Sequence, residues 1–421
     1  MLSRRKFMQT GAAIAASSVA LPAFAAGSKI KIGYVSPQSG PLSAFAQADT
    51  YVIENFVKKA AEEGFDIEVI VKDSQSNPNR AAEVARELIV RDEVHLICVA
   101  STPETTNPVC TIAEAEEIPV ISSVAPWQPW FIGQQGNPAD PASWQPFDYV
   151  HHFFWGLEDN VGVFMNMWAQ IDSNKNVGAL WPNDGDGNAW ASEVGMPPAL
   201  AAAGYNLTDP GRFQNLTDDF SAQINAFKQN NCDIMVGIPI PPDFTTFWTQ
   251  AKQQGYNPKM VSVAKALLFP ESVAALGDLG HNLTCEVWWS PNHPYKSSLT
   301  GQSCADLAGE FQDYAKRQWT MPLGFVHALF EVALDAIKRA SDPTDGDEMA
   351  ELIGATKLDT AVGLIQWGRD NVPPFAQPNI SKTPLVGGQW RRQDDGSFDL
   401  VIVENGLAPE IPLTGTLETL S

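Results

Sequence analysis

The seven-residue stretch Ser101-Thr102-Pro103-Glu104-Thr105-Thr106-Asn107 lies between an apolar run ending at Ala100 and a helical pattern opening at Pro108. Ser101, Thr105 and Thr106 supply hydroxyl donors there. A helix start adds free N–H groups and about half a positive charge, a combination suited to a carboxylate. The same residue types also serve as ordinary helix caps. A second polar stretch, Asp184-Gly185-Asp186-Gly187-Asn188, begins like a calcium loop. Ala189 replaces the Gly expected sixth and Gly195 the Glu expected twelfth, so the match fails. No Cys and His have zinc spacing, and neither a Gly-x-Ser-x-Gly elbow nor a phosphate loop is present. The adjacent His151 and His152 would point to opposite sides of a strand. Paired acids such as Asp218-Asp219 read as helix-start residues. Nothing in these patterns supports catalysis, and no cofactor or metal is expected.

The chain has 421 residues, with 27 Lys plus Arg against 49 Asp plus Glu and a formal charge of −22. That sign repels phosphate backbones and argues against a nucleic-acid partner. Hydrophobic residues make up 44% and charged residues 18%, enough apolar surface for a sizeable core. The N-terminus runs Ser3-Arg4-Arg5-Lys6-Phe7, then an apolar stretch from Gly11 to Phe24, then Ala23-Phe24-Ala25. That layout predicts a signal peptide over residues 1–25 and a soluble, periplasmic protein. The Arg pair resembles the twin-arginine type; an ordinary signal with adjacent basic residues is the other reading. Of the five Cys, Cys98 and Cys232 sit in apolar runs and read as buried thiols. Cys285 and Cys304 flank a Pro/Ser/Gly-rich loop and are the best disulfide candidates; an odd count leaves one thiol over.

These residues need a scaffold, and from Lys29 the pattern supplies one. Predicted strands at Lys29–Val35, Asp66–Val71, Val94–Ala100 and Ile118–Ser122 alternate with helices at Ser43–Glu63, Asn77–Arg91 and Pro108–Glu117. Asn77-Pro78 reads as an N-cap with Pro at the first helical position. Residues 126–150 break the rhythm with five Pro and three Trp, and read as a long surface excursion. Alternation resumes with a strand at Asn176–Trp181 and a helix at Asn188–Ala203, kinked at Pro197-Pro198. It continues to Met260–Ala264, and the tail, Gln389–Glu404, reads as a hairpin. Strands alternating with helices at this spacing mean an α/β fold with parallel sheets, here in two lobes.

Several segments together resemble a known family: Ile30-Lys31-Ile32-Gly33 with Ser39-Gly40-Pro41; Asp73 with Asn77-Pro78; Ile118-Pro119-Val120-Ile121-Ser122; and Asp219-Phe220-Ser221-Ala222-Gln223-Ile224. They are similar to type I periplasmic solute-binding proteins of ABC importers, in the leucine/isoleucine/valine and amide branch. The likeness runs in order over nearly the whole chain after the signal. It implies two Rossmann-like lobes joined by three hinge crossovers near Tyr149–Phe154, Glu286–Ser290 and Val362–Trp367. Lobe one would then comprise residues 28–150 and 289–365, and lobe two residues 151–288 and 366–421. A small-molecule ligand would sit between them. Membrane permease and ATPase subunits would be the partners of a monomeric receptor.

The resemblance implies that Thr105 and Thr106 hold a ligand carboxylate. The acidic residue that pairs an amino-acid ammonium in the family falls at Lys265, with the sign inverted. A hydroxyl expected after the fourth strand falls at Pro126, which has neither hydroxyl nor N–H. Lys265 either favours a second anionic or carbonyl group on the ligand, or pairs with Asp184 or Asp186. Phe45 occupies a wall position. Trp127, Trp130, Trp190 and Phe325 offer aromatic walls for a ring, a long apolar ligand or a quaternary ammonium, or else pack the Pro-rich stretch. The expected ligand is a small carboxylate-bearing solute: an aromatic or dicarboxylic acid, or an amino-acid-like molecule. The alternatives are a receptor of the usual amino-acid type with Lys265 turned away, a ligand-sensing domain and, with no nucleophile motif to support it, a secreted α/β hydrolase.

Overall fold

A computed structural model describes residues 29–420; the expected signal peptide lies outside the described residues. The first lobe is a six-stranded parallel sheet in the spatial order Ile380–Ser381, Val150–Phe153, Val120–Ser123, Leu96–Ala100, Ile30–Ser36, Ile67–Asp73. Its inner strands are buried on both faces, as βαβ crossovers require. Leu96–Ala100 and Val120–Ser123 are buried at every position. The edge strand Ile67–Asp73 carries Glu68 and Lys72 and is half exposed, which discourages pairing with another chain. Helix Asp49–Glu62 packs on helix Pro322–Arg339, with the Phe56 and Phe330 rings 4.6 Å apart. Helix Pro322–Arg339 is buried almost all round. Its polar residues are satisfied in place: His327 shares a hydrogen bond with Ser297 at 2.7 Å, and Glu331 accepts the Ala361 amide at 2.9 Å.

The second lobe is an eight-stranded sheet with a parallel core of Asn206–Thr208, Asn176–Pro182, Ile234–Gly237, Met260–Val263 and Thr284–Val287. Short strand Arg212–Phe213 pairs with the end of Asn176–Pro182. The predicted tail hairpin is present as Val386–Arg392 and Phe398–Glu404, added antiparallel at the edge. Among the described residues no helix is long and apolar enough to cross a membrane.

The chain passes twice between the two sheets before its last strands. Val150–Phe153 still belongs to the first sheet, and helix Leu157–Trp168 packs on the second. Thr284–Val287 belongs to the second sheet, and helix Cys304–Ala315 returns to the first lobe. The third crossover differs from the expected Val362–Trp367. Ile380–Ser381 pairs with Val150–Phe153, so the chain leaves lobe one only between Lys382 and Leu385. Asn379 explains this: its side chain is fully buried and donates to the carbonyls of Phe147 and Val150, both at 2.9 Å. Residues 366–381 therefore sit with lobe one, where the sequence reading put them in lobe two.

Three further expectations are corrected. The helix predicted from Pro108 begins at Pro103 and runs to Ala115, with Pro108 inside it. The helix predicted over Asn188–Ala203 is two helices, Gly185–Trp190 and Met196–Ala202, because Pro197 opens the second rather than kinking one. The stretch from 126 is more than surface: helix Trp127–Ile132 buries Trp127, Trp130 and Phe131. Trp130 stacks on His152 at 4.6 Å, which fixes this segment to the first sheet.

Candidate ligand site between the lobes

Carboxyl ends of parallel strands are where ligands bind in such sheets, and the two sheets present those ends to a shared cavity. As the lobes stand, the free space inside it is about 20 Å³, room for little more than one water. Lobe one contributes Phe45, Thr102, Val124 and Pro126; lobe two contributes Asp186, Ile238, Lys265, Leu268 and Glu286. The crossovers contribute Phe154, Trp155 and Trp288. Both lobes use the same backbone device. Val124, just past strand Val120–Ser123, has φ 73°, and Lys265, just past Met260–Val263, has φ 61°. Left-handed backbone is costly for a non-glycine residue, above all a β-branched one, and such strain collects at ligand sites.

The charged side of the cavity is one buried cluster. The Lys265 ammonium lies 2.6 Å from an Asp186 oxygen and 3.4 Å from an Asp184 oxygen. Burial alone would lower the Lys265 pKa, but Asp184, Asp186 and Glu104 together outweigh it and raise it, so Lys265 stays an ammonium. Burial pushes Asp186 up; Lys265 pulls it down, and Glu104 and Asp184 push it up again. Glu286 is fully buried and is pushed up to about 8 by that burial, though its backbone hydrogen bonds and the nearby Trp288 indole oppose the shift. The Lys265 amide donates to one Glu286 oxygen at 3.4 Å. One ammonium thus faces several carboxylates. This wall has acceptors to spare, and two of the three Lys265 donors are engaged by Asp186 and Asp184.

Five residues of the cavity hold buried polar atoms without a protein partner: Thr102 Oγ1, Trp155 Nε1, Asp186 Oδ1, Glu286 Oε2 and Trp288 Nε1. Buried polar groups are almost always paired, so such a concentration marks a place where a ligand or ordered water completes the pairing. Among the described residues no cluster of His, Cys, Asp and Glu is arranged to hold a metal ion.

Of the residues expected from sequence, Phe45, Asp186 and Lys265 reach the cavity. Lys265 lines the cavity and there pairs with Asp184 and Asp186. Ser101, Thr105 and Thr106 lie behind it. The Thr105 hydroxyl donates to Ser101 Oγ at 2.7 Å, and the Thr106 hydroxyl to the Ser101 carbonyl at 3.0 Å. Thr102, the N-cap residue exposed by the earlier helix start, takes their place at the cavity. Trp127 donates to Glu158 at 3.2 Å, Trp190 packs on Trp181 at 5.7 Å, and Phe325 supports Phe154 and Trp288 at 5.0 and 5.6 Å. The aromatic walls are instead Trp155 and Trp288. Their places in the two crossovers could have marked them, as could Glu286, an acid inside the buried strand Thr284–Val287. The proposed Cys285–Cys304 disulfide is absent: all five cysteines are free and buried, and Cys304 Sγ donates to the Ala361 carbonyl at 3.3 Å.

The lobes are closed on this cavity. The rings of Phe45 and Phe269 meet edge-on at 4.9 Å across it. Gln47 donates to Glu271 at 2.9 Å and Arg317 reaches Glu271 at 3.4 Å. The Glu104 carboxylate accepts the Gly185 amide at the start of helix Gly185–Trp190.

Residues 29–377 match the family model described as periplasmic binding protein. A search of curated proteins finds no match. The fold is that of the leucine-binding protein LivK from Thermotoga maritima, at 19% identity and TM-score 0.70, covering 90% of this chain and 99% of that one. LivJ from Streptococcus pneumoniae, solved with isoleucine, aligns at 17% identity and TM-score 0.70, covering 90% and 100%. A solute-binding protein from Rhodopseudomonas palustris, solved with 4-hydroxybenzoate, aligns at 15% identity and TM-score 0.72, covering 90% and 96%. With the match spanning both lobes and the cavity in the cleft between them, the chain belongs to the periplasmic binding protein family.

Proposed function

We propose that this protein is an exported, monomeric receptor that captures a small carboxylate-bearing solute with a donor, an amine or a hydroxyl, at its other end. It then hands the solute to permease and ATPase subunits. The observation that carries this reading is the set of unpartnered buried polar atoms around one cavity. On one side stand the Thr102 hydroxyl and the start of helix Pro103–Ala115, which suit a carboxylate. On the other stand the free oxygens of Asp186, which accepts hydrogen bonds, and of Glu286, which burial keeps protonated at neutral pH and able to donate or accept. Phe45, Phe154, Trp155 and Trp288 wall the space between. Amino acids and hydroxybenzoates, the ligand types of the similar structures, both have this two-ended character. Closure follows because a solute bridging both walls binds the closed form better than the open one.

The donor end replaces the distal anion that Lys265 suggested from sequence. Its charge is already matched by Asp184 and Asp186, so a dicarboxylate would meet unpaired acids. Thermal-shift titration with amino acids, hydroxybenzoates and dicarboxylates tests this, since bound solute raises the melting temperature by mass action. Donor-bearing monocarboxylates are expected to stabilise the protein. Preferential stabilisation by dicarboxylates would overturn the assignment of the two ends.

A further inference from the structure

Another cavity, of about 660 Å³, lies beside the ligand site. The two are built on the same three segments. Thr102 borders the first and Pro103 the second; Pro126 the first and Gln128 the second; Asp186 the first and Gly185 the second. Lobe one contributes Ile132 and Trp144 from the Pro/Trp stretch, and lobe two contributes Ala189 and Val194. The cavity is therefore complete only when the lobes are closed, with Glu104 accepting the Gly185 amide between them. Trp144 is held by edge-on contacts to Phe131 at 6.5 Å and Phe375 at 5.3 Å, and its indole donates to the Asn137 carbonyl at 3.2 Å.

The lining is chemically one-sided. It is mostly aliphatic, proline and tryptophan, and Val194 is left 53% exposed at its rim. Its only charged residues among those described are Glu104 and Glu193; no Lys or Arg lines it. Asn107 adds a buried carbonyl oxygen without a partner. Apolar walls with a few convergent polar groups are the general form of a small-molecule site, and this volume falls in the usual range. We propose that this cavity is a second ligand site, selective for an amine with an aromatic or aliphatic body. The body would lie against Ile132, Val194 and Trp144, and the ammonium would face Glu193, Glu104 and Asn107. A carboxylate would be repelled, so the site is distinct in preference from the one in the cleft. Because it forms on closure, its occupant and the cleft solute favour each other's binding. Only this coupling rests on the function proposed above.

The test uses the purified protein with phenethylamine as probe and 3-phenylpropionate as its charge-inverted partner, read by calorimetry. Phenethylamine is expected to bind saturably and 3-phenylpropionate at least about tenfold more weakly. Trp144→Ala is expected to weaken phenethylamine by about tenfold. Val194→Lys, at an exposed position that tolerates substitution, is expected to do the same by placing a cation at the rim. A cleft solute found by thermal shift should tighten phenethylamine binding and keep its own affinity in Trp144→Ala. Equal binding of the two probes, indifference to both substitutions, or competition between phenethylamine and the cleft solute would each overturn the proposal. Should no cleft solute be found, the probe comparison and both variants still decide the matter.

Discussion

On lobe one, the chain leaves strand Val120–Ser123 through Val124 and runs into Pro126, with Thr102 and Phe45 alongside; this wall of the cleft carries no charge. On lobe two, the chain leaves Met260–Val263 through Lys265, with Asp184, Asp186 and Glu286 around it; this wall is a buried ion cluster. Both turns need left-handed backbone at a non-glycine residue, so the two lobes share a geometry while differing in chemistry. The neutral wall can set shape and offer donors at little desolvation cost. The charged wall must stay balanced, since each buried charge there is expensive unless paired. Selectivity by charge is therefore expected to sit on lobe two and selectivity by shape on lobe one.

The largest expected effect comes from breaking the charged wall. Lys265→Met leaves Asp184 and Asp186 without their counter-charge, and should cost about 3–5 kcal/mol in denaturant unfolding. A loss below about 1 kcal/mol would mean that the acids escape to water and that the two walls are not so different.

Next comes pH. Glu286 is held up at about 8 in the folded protein, well above its ordinary range, because it is buried. The unfolded chain therefore loses this proton at lower pH than the folded one, and stability falls as pH rises through that window. Glu286→Gln removes the titration. It should leave stability near pH 4.5 little changed and raise it by about 4–5 kcal/mol near pH 8.5. Parallel stability–pH curves for the two proteins would contradict this.

A smaller effect separates front from back on the neutral wall. Thr102→Val should weaken the cleft solute about tenfold by removing one hydrogen bond to a charged group. Thr105→Val removes a hydroxyl that is bonded to Ser101, and should change affinity less than about twofold. Reversal of that order would restore Thr105 as the ligand contact. The smallest effect is on the joint between the lobes. Cys285 lies in a lobe-two strand and Cys304 at the start of a lobe-one helix, and neither is in a disulfide. Added reductant should leave the melting temperature unchanged; a drop of several degrees would reveal a bridge across the lobes.

Much of the fold was legible because the relevant signals are local. Alternating apolar runs and helical periods marked the strands of both sheets, and Asn77-Pro78 marked a helix start that the structure repeats, with Asn77 accepting the Asn79 amide at 2.9 Å. The sequence pattern places the start of this helix at Pro108, but the helix opens about one and a half turns earlier, at Pro103, a proline equally suited to the first helical position. That later start draws attention to Thr105 and Thr106, whereas the residue lining the cavity is Thr102. Trp127 and Trp190 were reasonable candidates by composition, but an indole's burial says nothing about which surface it faces.

From sequence alone the residue types already determined an acidic α/β protein of two lobes, with hydroxyls at one strand end and a Lys near two acids. Those features depend on neighbours a few residues apart. Only the tertiary structure decided which of them share one cavity. The third crossover after Ser381 and the meeting of Trp155 with Trp288 and Glu286 arise from contacts between segments more than 100 residues apart. Pairing, burial and charge balance at such distances are set by packing the two sheets together, which no local pattern encodes.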